Sequence, residues 1–188
     1  MSEPQLAPPG AGLPFPENLI ARWMLGMRLL AGSSGDFTAH FIRERGAIRH
    51  LIDNLDETTL SLRVLIPRPR GLEDSSRYWS VLMTLDHLRI VHHAFIGVIG
   101  TLAKEQIPEG KASTAAVKPD LAVTLDVIGK YDASCDALLA TLDSVRNFKT
   151  RARYPHPWFG PMNAHGWHAL AGQHMSIHRV QIERILEK

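Results

Sequence analysis

The sequence has little cysteine, few aromatic residues and no excess of either charge. Its single cysteine, Cys135, cannot form a disulfide within the chain, so we expect an apolar core to hold the fold together in a reducing compartment, the cytoplasm. The 21 basic and 19 acidic side chains are mixed along most of the length, which does not favour nucleic acid as a partner. A length of 188 residues, 45% of them hydrophobic, predicts one domain with at most a small extension.

Long hydrophobic runs are also missing. The most apolar stretch, residues 90–102, is interrupted by His92 and His93 and never reaches the roughly 18 consecutive apolar residues that a membrane span needs. Four of the first 14 residues are prolines, and Glu3 stands where a signal peptide carries basic residues. The sequence therefore predicts a soluble protein with no membrane partner and a disordered, proline-rich segment over residues 1–15.

Apolar residues recur at helical spacing from about residue 16 onward, and no useful length alternates with a period of two. The first apolar stripe predicts a short accessory helix within residues 16–35. Four longer helices are predicted after it, over approximately residues 37–55, 76–104, 121–147 and 163–187. Four such stripes bury one another economically in a bundle. The prediction is an all-α protein, with a four-helix bundle over residues 36–188 and an additional N-terminal helix.

The ten histidines are the most distinctive part of the composition. His174 and His178 are four residues apart, so both imidazoles lie on one face of the last helix, and most residues that share this face are apolar. On the central helix, His87 shares a face with apolar residues, whereas His92 and His93 are rotated from it by about 120–140°. Two interpretations are open: a three-histidine metal site with a free coordination position, or core histidines satisfied by hydrogen bonds.

Several catalytic motifs are missing around these histidines. Met175 follows His174 where the zinc peptidase motif has its general-base glutamate, and no glutamate stands three residues before any histidine, as di-iron bundles require. Cys135 lies within an apolar stripe, which favours a core position over a nucleophile. His165 and His168 point about 180° and 120° away from His174, so we do not expect either of them to join the pair.

Three groups of residues resemble the DinB-like superfamily of metal-binding four-helix bundles, which includes bacterial thiol-dependent transferases. The groups are Trp79 with Leu85-Asp86-His87-Leu88, His156 to Asn163 with Trp167, and His174 to Gln181. The resemblance covers roughly residues 36–188 and implies that His87, His174 and His178 bind one divalent metal ion. Imidazole ligands suit zinc, nickel, copper or ferrous iron. Of these we expect zinc or nickel, with iron as the alternative.

Two functions are compatible with this resemblance. In the first, the chain is a metal-dependent thiol transferase or isomerase: the free metal position binds a low-molecular-weight thiol and lowers its pKa, and the thiolate acts on a small-molecule substrate. In the second, the bundle holds a ligand or a partner without catalysis. The sequence identifies no side chain as a general base.

Two further expectations concern the surroundings of the bundle. The accessory helix is too short to be stable alone in water, so its face of Trp23, Met24 and Met27 should pack against the bundle or a second subunit, and a homodimer is expected in the latter case. The rigid turn between His156 and Pro161 should place Trp158 or Phe159 at the mouth of a cavity.

Overall fold

Four long helices form the framework of the computed structural model, which describes residues 3–188. They are α2 (Ser34–Ile52), α4 (Val81–Leu102), α5 (Val127–Ser144) and α6 (Ala164–Leu186). Helix α6 packs against α2 and α4, and α4 also packs against α5, so α4 and α6 each contact two long helices. The accessory helix α1 (Phe15–Ala31) precedes the bundle, and the short helix α3 (Glu57–Ser61) follows α2. The all-α four-helix prediction is confirmed.

Side-chain caps define where the long helices begin. Ser33 and Asp36 form a reciprocal capping box at the start of α2, in which each side chain accepts a hydrogen bond from the other's backbone N–H. Ser80 and Asn163 cap α4 and α6, and each accepts a hydrogen bond from the backbone N–H three residues further on. Because the caps set the first turn of α4 and α6, they also set which face each later side chain occupies.

Short strands, which the sequence did not predict, connect the helices. Val64–Leu65 (β1) pairs with Tyr78–Trp79 (β2), and Tyr154–His156 (β3) pairs with Gly160–Met162 (β4), both antiparallel. Strands of two or three residues are too short to show an alternating pattern. Strand β2 ends just before α4 and β4 just before α6, so each pair leads into a helix that carries candidate ligands.

The connections also explain where predicted and observed helix starts differ. Helix α4 begins at Val81 instead of near residue 76, because Asp74–Ser76 forms a 3₁₀ turn and β2 follows it. Helix α5 begins at Val127, and Leu121 and Leu125 are exposed in the loop before it. A second 3₁₀ turn, Ala115–Val117, lies earlier in the same connection. Across residues 3–188, no helix combines the length and apolar composition that crossing a membrane requires.

Residues 3–14, part of the segment predicted to be disordered, follow the surface of the protein and make hydrogen bonds to it. The backbone N–H of Ala7 donates to the Asp74 carboxylate, and those of Gly10 and Gly12 both donate to Oε1 of Glu73. Composition alone does not reveal these acceptors, because they lie about 60 positions away in the chain. The first two residues lie outside the described part of the chain.

Candidate metal centre

Three histidines meet where α4 contacts α6. His87 comes from α4, and His174 and His178 come from successive turns of α6. Nε2 of His174 lies 3.2 Å from Nε2 of His87 and 3.2 Å from Nε2 of His178. The candidate ligand atoms of the three side chains all lie within 4.8 Å of one another. The structure therefore brings together the three histidines that the sequence singles out.

Hydrogen bonds on the far side of two rings determine which nitrogen is free. Nδ1 of His87 lies 2.6 Å from the Val117 carbonyl oxygen, which can only accept, so Nδ1 carries the proton and Nε2 presents a lone pair. Nδ1 of His178 lies 2.7 Å from Oε1 of Gln181, whose Nε2 donates to the Ser76 carbonyl. That second bond orients the Gln181 amide, so Oε1 is the acceptor and His178 also presents its Nε2 lone pair.

These two lone pairs both face Nε2 of His174, which has at most one proton and can satisfy only one of them. A divalent cation would satisfy all three nitrogens at once. Ligand atoms at tetrahedral angles and 2.0–2.1 Å from zinc stand roughly 3.3 Å apart, close to the 3.2 Å of the two Nε2 pairs. The donor set, its spacing and its tautomers thus fit a metal ion with a free coordination position.

Burial keeps the three rings neutral. Removal from water lowers the pKa of His87 to about 4, although the hydrogen bond to Val117 opposes this shift. The pKa values of His174 and His178 also lie well below the ordinary value, first because of burial and then because of neighbouring histidines. Neutral imidazole is the form that binds metal, so no proton has to leave these rings at neutral pH.

Aromatic side chains complete the surroundings of the rings. Trp79, at the end of β2, lies 5.2 Å from the His87 ring and stacks almost parallel to the His178 ring at 6.3 Å. The edge of Phe95 faces the His174 ring at 6.0 Å. Nδ1 of His174 is buried and has no hydrogen-bond partner among the described residues, so packing, and not a second hydrogen bond, orients this ring.

The other histidines contribute no nitrogen to this group. His92 is fully buried, and its Nδ1 lies 2.9 Å from Oγ of Ser134 on α5. His165 and His168 are buried against Phe37, with ring centroids 4.9 Å and 5.7 Å away. All three rings are buried, and none of them joins the group of three histidines.

A cavity of about 690 Å³ opens beside the three histidines. Its wall is largely apolar and includes Val91, Val98, Phe95, Trp167, Leu170 and Ile177. Trp158 lines the cavity, as the sequence predicted, whereas Phe159 packs on the His156 ring at 4.9 Å. Cys135 is buried in the core, and burial raises the pKa of its thiol to about 12, which agrees with a core position.

One ion pair stands at the edge of this cavity, and sequence reasoning missed it. Nζ of Lys118 donates to Oε2 of Glu73 at 2.6 Å, to Ser75 at 2.8 Å and to Ser76 at 3.1 Å. Burial opposes the charge of Glu73, but the hydrogen bonds from Lys118 and Ser75 leave its pKa below the ordinary value. The two residues are 45 positions apart and belong to no motif, so only the folded chain shows the pair.

The fold and this site define a class of protein: a four-helix bundle with a buried group of three histidines beside an apolar cavity. Residues 40–182 match the family model of the DinB superfamily, and the chain belongs to that superfamily. The crystal structure of TT2238, a four-helix bundle protein, is similar with a TM-score of 0.58 and 22% sequence identity, covering 80% of this chain and 98% of that one. At this identity the likeness shows the fold alone. No protein of curated function matches the chain.

Proposed function

We propose that this protein is a metal-dependent enzyme whose His87, His174 and His178 hold one divalent cation. The observation that carries the proposal is the convergence of the three Nε2 atoms. In His87 and His178 a hydrogen bond holds the proton on Nδ1, so Nε2 has a lone pair that can bind a metal ion. The ion we propose is zinc or nickel, with ferrous iron as the alternative, and an all-imidazole ligand set is compatible with each of them. When bound, such an ion would act as a Lewis acid that lowers the pKa of a water or thiol at its free position.

The reaction we propose is the transfer or isomerisation of a small molecule with a low-molecular-weight thiol as co-substrate. Two side chains of the cavity that could act as bases, Glu73 and His156, are already engaged in hydrogen bonds. Glu73 is paired with Lys118. His156 accepts a hydrogen bond on Nδ1 from the Trp158 backbone N–H, so its Nε2 carries the proton and is a donor. Because these two side chains are already hydrogen-bonded, we propose that the metal, and not a side-chain base, activates the thiol.

A binding module without catalysis is the second candidate, because the apolar cavity could hold a ligand as it stands.

Metal analysis of protein purified without a nickel column tests the main proposal, and we expect about one divalent ion per chain. Turnover screens of the loaded protein with several thiols and electrophiles separate the two candidates. Protein that neither contains metal nor takes up added zinc or nickel would contradict the metal site, and metal without turnover would favour the binding module.

Gln181 should matter for metal affinity although it is not a ligand. Its amide orients the His178 ring and is itself held by the Ser76 carbonyl. Gln181→Leu should weaken zinc binding by about 10–100-fold, as loss of an outer-shell partner does in other sites. Competition with a chelator measures the change, and Gln173→Leu on the same helix is the matched control. Equal affinities of the Gln181 and Gln173 variants would show that this hydrogen bond does not support the ligand.

A further inference from the structure

Apart from the proposed metal position, the cavity wall offers no free positive charge to a ligand. Its charged lining residues are Glu73, Glu109 and Lys118, and no arginine lines it. An ammonium group has three protons to donate, and those of Lys118 are directed at Glu73 and at two serine hydroxyls. Away from the three histidines, a carboxylate would lose its water without gaining a cation, which is unfavourable. This part of the cavity therefore discriminates against a ligand body that carries a carboxylate.

The remaining wall favours an apolar body. Phe95, Trp158 and Trp167 supply aromatic surface, and Leu170 and Ile177 supply aliphatic surface. A volume of about 690 Å³ lies within the roughly 300–1,000 Å³ of pockets that enclose drug-sized ligands. We infer that the thiol or substrate bound here has an uncharged, apolar body of this size, with one donor atom for the metal. That the ligand carries a donor atom for the metal rests on the proposed function. That its body is apolar does not.

Paired probes that differ by one carboxylate test this preference. With zinc-loaded protein, phenethyl mercaptan should bind at least ~10-fold more tightly than its para-carboxylate derivative, since 1.4 kcal/mol of lost solvation already corresponds to tenfold. With metal-free protein, ethylbenzene should be preferred over para-ethylbenzoate in the same way. A mercaptan that is preferred over its carboxylate but binds equally tightly with and without zinc would contradict the metal proposal and leave this inference standing. Equal or tighter binding of the carboxylates in both forms would overturn it.

A substitution that frees Lys118 tests the reason for the preference. Glu73→Gln keeps the size of the side chain and an oxygen for the Gly10 and Gly12 N–H groups, but it removes the charge that neutralises Lys118. Binding of the carboxylate probe should then strengthen relative to the neutral one. Glu109→Gln removes a carboxylate from the same cavity without freeing the ammonium group, so it is the matched control. An unchanged preference in Glu73→Gln would show that Lys118 is not the group that decides it.

An independent observation concerns α1, which exposes a continuous apolar face. Its exposed side chains, each between 49% and 84% accessible, are Phe15, Leu19, Ile20, Trp23, Met24, Met27 and Leu30. Together they offer on the order of 1,000 Å² of apolar surface, more than the largest patch of about 300–600 Å² on a typical monomer. Arg22 is the one charged residue of α1 that is exposed. An exposed apolar face of this size is typical of an interaction surface.

We propose that a second copy of this chain covers the α1 face. Ile20, Trp23, Met27 and Leu30 follow the alternating three- and four-residue spacing of a helix-pairing seam, so two copies of α1 can pack on each other about a two-fold axis. The exposed area reaches the roughly 800 Å² per partner of a stable interface. Membrane-surface helices instead carry a polar face rich in lysine and arginine.

The opposite face of α1 is attached to the bundle, so the apolar face is presented rigidly. Leu25 is buried, and Arg28 donates to Nδ1 of His40 at 2.6 Å. Glu17 accepts hydrogen bonds from Arg68 and, at 2.6 Å, from the Gly71 backbone N–H. These contacts pin both ends of the helix. A preformed face loses less conformational entropy on dimerisation than a mobile one would.

Analytical ultracentrifugation at micromolar concentrations tests this interface. The wild type should be a dimer and Trp23→Asp a monomer, with an unchanged circular dichroism spectrum because Trp23 is exposed. Leu121→Asp is the matched control, since Leu121 is a 71% exposed residue outside α1, and this variant should stay dimeric. A monomeric wild type, or a Trp23→Asp variant that remains dimeric, would overturn the proposal. Cosedimentation of a monomeric wild type with lipid vesicles would assign the face to membranes instead.

Discussion

His174→Ala, His87→Ala and His178→Ala should each strip the metal from the protein at neutral pH. Removal of one imidazole leaves two ligands, which hold a first-row divalent ion much less tightly than three. The loss should exceed the roughly 10–100-fold that removal of an outer-shell partner costs. His174 should show the largest effect, because its Nε2 lies 3.2 Å from each of the other two. Metal content after dialysis and chelator competition both measure it.

The control for these variants should be an exposed histidine, because replacing a buried one also lowers the stability of the protein. His50 is exposed on α2, so His50→Ala should keep both metal and stability. His92→Ala should also keep the metal, but it removes a buried ring that is hydrogen-bonded to Ser134, and we expect it to lower the free energy of unfolding by about 1–3 kcal/mol. Full metal content in His174→Ala, or losses in His50→Ala equal to those of the triad variants, would show that the ligands are wrongly assigned.

Mild acid should unfold the metal-free protein. Burial lowers the pKa of His87, His156 and His168 to about 4 and that of His92 to about 3. In the unfolded chain the same groups titrate near ~6.5. Between these values the unfolded chain binds protons that the folded protein cannot, so the free energy of unfolding falls as pH drops. Above about pH 6.5 both states are neutral and this contribution is constant.

The expected loss of stability in acid is large because several buried histidines contribute to it together. Each such histidine contributes about 1.4 kcal/mol per pH unit within its window, and the total stability of a domain is only about 5–15 kcal/mol. We therefore expect urea unfolding midpoints to be constant from pH 8 to 7 and to fall steeply below, with loss of the fold at roughly pH 5. His168→Gln should make the slope shallower. A flat profile between pH 7 and 5 would contradict the buried neutral state. Bound metal should shift the loss to lower pH, because it stabilises the folded state alone.

Helical periodicity was sufficient to predict both the bundle and the direction of the candidate ligands. The apolar residues that share a face with His87 are Val91, Ala94 and Val98, and all four residues line the cavity. The direction of a side chain on a helix follows from its position in the sequence, so this prediction needs no knowledge of the fold. The family was also predicted from short residue groups and is confirmed over residues 40–182.

The short strands, the start of α5 and the contacts around His87 and Lys118 could not be predicted from the neighbouring sequence. The strands β1 to β4 are shorter than any alternating pattern, and Leu121 extends the apolar spacing of α5 although it is exposed in a loop. The acceptor for His87 is a backbone carbonyl, that of Val117, which no side-chain pattern can indicate. The Glu73–Lys118 pair likewise depends on two separate connections that meet only in the folded protein.

The sequence by itself determined the accessory helix and the four long helices, apart from where α4 and α5 begin, and which faces of α4 and α6 point inward, because these properties depend on residues within one or two turns of each other. Tertiary structure alone decided that Nε2 of His87 comes within 3.2 Å of Nε2 of His174, 87 positions later. It also decided that Lys118 is neutralised and that α1 leaves one apolar face uncovered. Such distances result from many weak packing contacts between helices and from the paths of their connections, and no single segment encodes them.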